Sequence, residues 1–191
     1  MRHSRFSITI LTMAAFFAVN TAFAQDDSTV AQGRQESQAI AQQGLVSLYE
    51  ASPGTKSAIE RAAGYAVFST VGVKLLFAGG TRGKGVVFNN RNHGETFMKM
   101  LQVQGGLGFG ISRNTVIFLF QNEGALRNFV DQGWEFSEQG TLAAAASNEG
   151  GSLAGAVSVS PGVFVYQITD TGLAATLTVA GTKFFKDDEL N

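Results

Sequence analysis

The chain has 191 residues, with 14 Lys and Arg against 15 Asp and Glu, and it contains no cysteine. This near-neutral balance argues against nucleic-acid binding, for which a clearly basic domain is usual. The missing thiols exclude a disulfide scaffold, a thiol nucleophile and a cysteine-based metal site. A hydrophobic content of 45% with 23 Gly and only 2 Pro indicates a folded domain with tight turns and curved strands, not a disordered linker.

The first residues have the pattern of an export signal. Two arginines precede an apolar run from Ile8 to Val19, and Ala22-Phe23-Ala24 supplies the small residues that signal peptidase recognises. A membrane anchor is the alternative interpretation, but this run is shorter than the roughly 20 apolar residues of a spanning helix. We therefore expect residues 1–24 to be removed and the protein to act in the periplasm or as a secreted protein. Without the two arginines, 12 basic residues stand against 15 acidic ones.

Residues 25–55 are predicted to form an N-terminal helical arm. The apolar residues follow a helical period over roughly 29–50, and Pro53-Gly54 ends the helix. A second, short helix is expected from Thr55 to Ala62.

From Gly64 onward the pattern changes to short apolar strands. Asn89 to Gly94 is a cluster of turn residues. Two glycine-rich segments are interpreted as connections, Gly79–Gly85 as a hairpin with a basic tip and Gln104–Gly110 as a link between strands. The predicted strands are 65–68, 71–77, 85–89, 97–104 and 115–120, of which the last is apolar after Thr115 and should be covered on both faces.

The rest of the chain predicts one helix followed by further strands. The helix starts after Asn122 and ends at Gly133. Thr169–Gly172 forms a turn, and the alternation after it predicts that 162–168 pairs with 173–180 as an antiparallel hairpin. Two more strands are expected at 141–146, which could instead be a helix by alanine propensity, and at 153–159.

Residues 56–191 are therefore expected to form one mainly β (α+β) domain. Many short strands with glycine-rich turns favour a curved antiparallel sheet or a barrel-like β domain, with N-terminal helices and one internal helix.

No motif for catalysis or for a cofactor is complete. Gly79–Gly85 is close to a phosphate-binding loop, but Ala78 stands where the first Gly is needed and Gly85 where Ser or Thr is needed. Gly105–Gly110 lacks the spacing of a dinucleotide-binding loop. His93 is the only histidine outside the signal, which disfavours a hydrolase relay and a transition-metal site. We expect no cofactor and no metal.

Five basic residues are candidates for contact with an anionic lipid surface. If they cluster beside exposed aromatic side chains, they can meet lipid head groups. If they are scattered, they only keep the protein soluble, and the sequence leaves both arrangements open. The candidates are Lys56, Arg61, Lys74, Arg82 and Lys84.

The order of these features resembles the SYLF family over about Ala39 to Asn191. Each matching piece is short, but together they follow the order of that family's strands and internal helix. The pieces are Ala62–Phe68 for the opening strand, Gly79–Gly85 for the glycine-rich hairpin, Gly105–Gly110 for the glycines of the next strand, Phe120–Phe129 for the strand-to-helix step, and Val165–Gly181 for the closing hairpin.

The resemblance implies a compact, mostly β domain that binds lipid and has no known catalysis. In eukaryotic members it implies phosphoinositide binding through a basic N-terminal region, and actin binding. Neither carries over, because Arg34 is the only basic residue between 29 and 50 and an exported protein meets neither partner. The prediction is a lipid- or membrane-surface-binding protein. The alternative is a structural or protein-interaction module of the cell envelope, whose curved sheet offers edges to partner proteins.

Overall fold

The structure is a computed structural model, and it describes residues 14–136, 141–143, 153–174, 176–178 and 181–191. The first 13 residues of the predicted signal peptide lie outside this range. The helices are α1 (Ala14–Ala51), α2 (Thr55–Arg61) and α3 (Glu123–Gln132). The strands are β1 (Gly64–Asn89), β2 (Glu95–Phe120), β3 (Trp134–Phe136), β4 (Thr141–Ala143), β5 (Val157–Ser160), β6 (Val163–Thr169), β7 (Gly172–Leu173), β8 (Thr176–Thr178) and β9 (Thr182–Lys186).

Two strands of 26 residues each, β1 and β2, form an antiparallel hairpin that dominates the fold. The predicted turn at its end is confirmed, because the Asn89 side chain accepts hydrogen bonds from the backbone of Arg91 and Asn92. The prediction that the two glycine-rich segments are connections is wrong. Gly79–Gly85 lies within β1 and Gln104–Gly110 within β2, so the separately predicted short strands merge into two continuous ones.

The hairpin is bent back on itself near Leu76, where a register shift separates Leu76 from Ala78. A straight strand of this length would extend about 85 Å, but here the two halves of β1 pack against each other. A Cβ atom on Gly85 would collide with the Val67 carbonyl oxygen and the Phe68 ring, and one on Gly83 would lie 3.2 Å from the Ser69 carbonyl oxygen. The glycines of this segment therefore permit a close crossing of strands and not a turn.

Strand β2 is central in a seven-stranded sheet. One edge of β2 pairs with β1 along its length, and the other pairs with β9 at 98–102 and with β6 at 115–120. Between Gln104 and Asn114, no described strand pairs with this second edge. The sheet ends at β3 and β5, which do not pair with each other, so the described sheet stays open.

The sheet has one core on each face. Helix α3 packs on the first face, around Phe68, Phe118 and Phe184. Helix α1 packs on the second face, around Val67, Ile117 and other buried residues. A Cβ atom on Gly44 of α1 would lie 2.8 Å from a Val67 methyl group, so the missing side chain lets the helix lie close to the sheet. The predicted arm is thus packed onto the predicted domain.

Both ends of α3 agree with the prediction. The Asn122 side chain accepts a hydrogen bond of 2.9 Å from the backbone N–H of Ala125, which caps the helix. Gly133 ends it with φ of 68°, a conformation that glycine adopts without strain.

The predicted hairpin of 162–168 with 173–180 is correct only next to its turn. Ile168 and Thr169 pair with β7, but β8 pairs with β4 in a separate two-stranded sheet. The reason is that β5 already occupies the same edge of β6 at 163–165. Residues 175 and 179–180 lie outside the described residues.

The two remaining predicted strands are confirmed in part. Residues 141–143 are a strand, so the helix alternative is wrong there, and 144–146 lie outside the described residues. The second strand runs from Val157 to Ser160, later than predicted, because Leu153 begins a turn closed by the hydrogen bond from the Ala156 N–H to the Leu153 carbonyl. The fold class is as expected: a mainly β domain with a curved antiparallel sheet, N-terminal helices and one internal helix.

Candidate functional site

The candidate site lies on the face of the hairpin that α1 partly covers. Side chains alternate between the two faces of a strand, and Val67, Val86 and Phe97 on this face are buried under α1. Along the ladder from Val67 towards the bend, the next positions on the same face are Ser69, Val71, Val73 and Leu75. From Val86, they are Lys84 and Arg82. Both sets of positions extend beyond the part of the sheet that α1 covers.

An apolar belt occupies the uncovered part of this hairpin. Among the described residues, ten of the eleven exposed large apolar side chains lie in it, with exposed fractions from 44% to 78%. Monomeric soluble proteins rarely expose a continuous apolar patch of this extent, and such patches mark sites of interaction. The belt consists of Val71, Val73, Leu75, Leu76, Phe77, Leu101, Val103, Leu107, Phe109 and Ile111.

The charges around the belt are almost all positive. Between Gly64 and Phe120 the sequence has six basic residues and a single acidic one, Glu95, which stands at the far end of β2. Lys74 lies at the bend, and Arg113 pairs directly with Val71 across the ladder. The uncovered part of the hairpin therefore combines apolar side chains with cations and has no acidic residue of its own.

A groove of about 600 Å³ lies where α1 ends its cover and the belt begins. Ile40, Met100 and Phe185 form much of its apolar wall, together with Val71 and Leu101 of the belt. Its charged lining residues are Glu36, Arg82, Lys84 and Lys99.

Three of the groove's charged residues are cations that share one face of the ladder. Arg82 and Lys84 are two positions apart on β1, and Lys84 is directly opposite Lys99 on β2. Like charges directly opposite each other repel, so we expect a negatively charged group to offset the charge of each lysine.

The two lysines differ in how they are paired. The Lys99 ammonium lies 2.8 Å from Asp187 and 3.1 Å from Glu189, and its hydrogen bonds to these carboxylates raise the pKa of Lys99. Lys84 has only Glu36, at 3.8 Å, and both side chains are 58% exposed. Arg82 forms no ion pair with any described residue. The charge of Lys99 is therefore balanced by two carboxylates, whereas Arg82 and Lys84 are available to an incoming anion.

The five sequence-predicted candidates do not form one cluster. Arg82 and Lys84 lie together in the groove. Lys74 lies at the bend, on the β1 segment that pairs with Gly110. Lys56 and Arg61 are on α2, where Arg61 borders a surface beside Asn90 at the opposite end of the hairpin.

Sequence reasoning missed Lys99 and the belt. A lysine opposite Lys84 is visible only once the register is known. The belt had a local signal, because Leu107, Phe109 and Ile111 alternate with glycines, a pattern with one apolar face and one bare face. His93, considered above for a hydrolase relay, is exposed in the β1–β2 turn with φ of 56°.

The fold and the groove define an α+β protein with a bent hairpin that presents an apolar, basic surface. No family model matches the chain. The chain is similar to Beta cell expansion factor A of Aeromonas veronii, with 28% identity over 151 residues. The matched region is 79% of this chain and 56% of that protein, so the chain spans a little over half the length of the curated relative it matches. Within the described part of the chain, no helix combines the length and apolar character that crossing a bilayer requires.

Proposed function

We propose that the protein binds lipid at membrane surfaces outside the cytoplasm and acts as a binding protein, not as an enzyme. The observation that carries the proposal is the apolar belt, on a part of the hairpin that has cations and no acidic residue of its own. The resemblance to the SYLF family and the export signal support the same function, since lipid is the ligand that the family implies and that the cell envelope offers.

The belt is expected to supply most of the binding free energy. Full burial of one large apolar side chain contributes about 1.5–3 kcal/mol, and the belt has ten such side chains. A basic residue near an anionic membrane adds about 1 kcal/mol. Binding should therefore be stronger on anionic membranes, and only its electrostatic part should weaken as salt screens the charges.

Co-sedimentation with vesicles tests the proposal. The protein, expressed from its full coding sequence, is incubated with vesicles of phosphatidylcholine alone or mixed with phosphatidylglycerol. We expect it to pellet with both, and more strongly with the mixture. The belt variant Leu75→Asn/Phe77→Asn/Phe109→Asn should stay in the supernatant. The matched control is Val46→Asn, because Val46 is the exposed large apolar residue outside the belt among the described residues.

Two results would overturn the proposal. The first is a wild-type protein that pellets with neither kind of vesicle. The second is a belt variant that keeps its fold by circular dichroism and still pellets like the wild type. N-terminal sequencing of the same preparation shows whether cleavage follows Ala24, which is the expected site.

A second candidate function is a protein-interaction module of the cell envelope. The observation that favours it is the edge of β2 between Gln104 and Asn114, with which no described strand pairs. An unpaired edge can accept a strand from a partner. A defined protein partner recovered from delipidated envelope extract, together with no vesicle binding, would favour this candidate.

A further inference from the structure

We propose that the groove beside Arg82 and Lys84 is the binding site for one molecule of an anionic phospholipid. Its phosphate is held by these two cations, and its acyl chains run along the apolar wall towards the belt. This inference rests on the proposed lipid-binding function and assigns to it a head-group site and a ligand class.

The cations select an anion. Arg82 has no ion-pair partner among the described residues, and Lys84 has only the exposed Glu36 at 3.8 Å. Lys99, across the ladder from Lys84, adds positive charge that Asp187 and Glu189 already balance. An Arg and a Lys two positions apart on one strand face are about 7 Å apart at their backbones. Their long side chains can therefore meet on one phosphate, the group that Arg binds through two parallel hydrogen bonds.

The apolar wall selects an amphiphile over a free anion. Val71 and Leu101 belong both to the groove and to the belt, so the wall continues without interruption from the cations to the exposed apolar surface. Ile40 of α1 and Met100 of β2 extend this wall on the groove side. Inorganic phosphate would leave all of this apolar surface in water. A phospholipid covers it with acyl chain, and the belt then lies at the depth of the acyl chains of the membrane.

Glu36 is placed to compete with the ligand. Its carboxylate approaches Lys84 from α1 and lines the same groove. Exposed ion pairs contribute little to stability, so a phosphate can displace this carboxylate at low cost. Glu36→Gln removes this competing charge and should therefore tighten the binding of an anionic lipid. The expected gain in affinity is roughly threefold, which corresponds to the usual strength of an exposed ion pair.

Calorimetric titration with short-chain lipids, which are monomeric in water, tests the site without a membrane. The probes are dihexanoyl phosphatidylglycerol, dihexanoyl phosphatidylcholine with the same chains and a zwitterionic head group, and inorganic phosphate. We expect phosphatidylglycerol to bind one site, about tenfold more tightly than phosphatidylcholine, as hydrogen bonds to charged groups predict. Inorganic phosphate should bind much more weakly than either lipid.

Matched variants show whether the named cations carry the selectivity. Arg82→Gln/Lys84→Gln should abolish the preference for phosphatidylglycerol and leave phosphatidylcholine binding unchanged. Lys56→Gln/Arg61→Gln removes the same two residue types from α2, outside the groove, and should keep the preference. Equal affinities of wild type for the two lipids, equal loss in both variants, or phosphate binding as tight as lipid binding would each overturn the inference.

The outcomes also separate this inference from the proposed function. If wild type pellets with vesicles but shows no head-group preference in the titration, the groove assignment fails and membrane binding stands. If wild type neither pellets nor binds the short-chain lipids, both fail. Self-association that disappears in Arg82→Gln/Lys84→Gln would assign the groove to a second copy of the chain and overturn the lipid site.

Discussion

Lys84 and Lys99 lie directly opposite each other on the β1–β2 ladder, and acids from opposite ends of the chain pair with them. Glu36 of α1 lies 3.8 Å from Lys84, whereas Asp187 and Glu189, which follow β9, lie 2.8 Å and 3.1 Å from Lys99. The side chain of Asp187 is only 5% exposed. One lysine therefore fastens the C-terminal segment to the sheet, and the other remains open to a ligand.

This difference predicts effects of unequal size for two similar substitutions. Lys99→Met leaves the carboxylate of Asp187 without its ammonium partner and should lower the free energy of unfolding by about 2 kcal/mol. Lys84→Met removes only an exposed pair and should change it by less than about 0.5 kcal/mol. Urea unfolding of both variants measures the effects, and equal losses would contradict the assignment.

The pH dependence of the Lys99 contribution follows from its pKa. Hydrogen bonds to Asp187 and Glu189 raise the pKa of Lys99 above 10.5. A raised pKa means that the pair stabilises the protein below the unfolded-state value, and that this stabilisation is lost as the pH rises through the folded-state value. The difference between wild type and Lys99→Met should therefore persist at neutral pH and shrink in strong alkali.

The crossing of the two halves of β1 predicts that Gly85 tolerates no side chain. A Cβ atom there would meet the Val67 carbonyl oxygen and the Phe68 ring, so Gly85→Ala should cost about 2 kcal/mol through overpacking. Gly110→Ala on β2 is the control, since a Cβ atom on Gly110 has no neighbour within 4 Å. Its effect on the urea midpoint should be near zero or slightly stabilising. A harmless Gly85→Ala would mean that the halves of β1 do not cross closely.

Tyr166 is predicted to ionise late. Its side chain is buried in the core under α1, and burial raises the pKa of Tyr166 to about 12 from 10.0. The neutral phenol stabilises the fold below pH 10, and this stabilisation is lost as the pH rises towards 12. Over that window wild type should lose up to about 3 kcal/mol more than Tyr166→Phe.

Absorbance titration and urea unfolding check this prediction together. In folded wild type one of the three tyrosines should ionise well after the ordinary value, and that late step should be missing from Tyr166→Phe. Burial also raises the pKa of Tyr49 and of Tyr65, and both residues remain in the variant as an internal reference. Simultaneous ionisation of all three near pH 10 in the folded protein would contradict the prediction.

The elements that depend on local signals were predictable. Asn122 and Gly133 bound α3 because a side-chain cap and a positive φ are decided within a few residues. The turn of Asn89–Gly94 is closed by side chains of its own residues. By contrast, whether β8 pairs with β6 or β4 depends on β5, so local alternation could not reveal it.

The glycine-rich segments show where the sequence was ambiguous. A glycine permits a turn, and it equally permits another backbone to approach. In Gly79–Gly85 the second role applies, because the halves of β1 pack against each other at Gly83 and Gly85. Which role applies depends on contacts with residues of β1 more than ten positions away in the sequence, and therefore on the folded structure.

The sequence by itself determined that the chain is a folded, mostly β protein with a near-neutral charge, a helix bounded by Asn122 and Gly133, and basic residues at 82 and 84. Only the tertiary structure decided what those basic residues face. Strict alternation would place Arg82 and Lys84 on the face opposite to Val71 and Val73. Val67 and Val86 nevertheless pack in the same core, so the alternation of β1 changes between them, where the register shifts and Leu76 has φ of 55°. One irregular step in a long strand therefore joins the cations to the apolar belt.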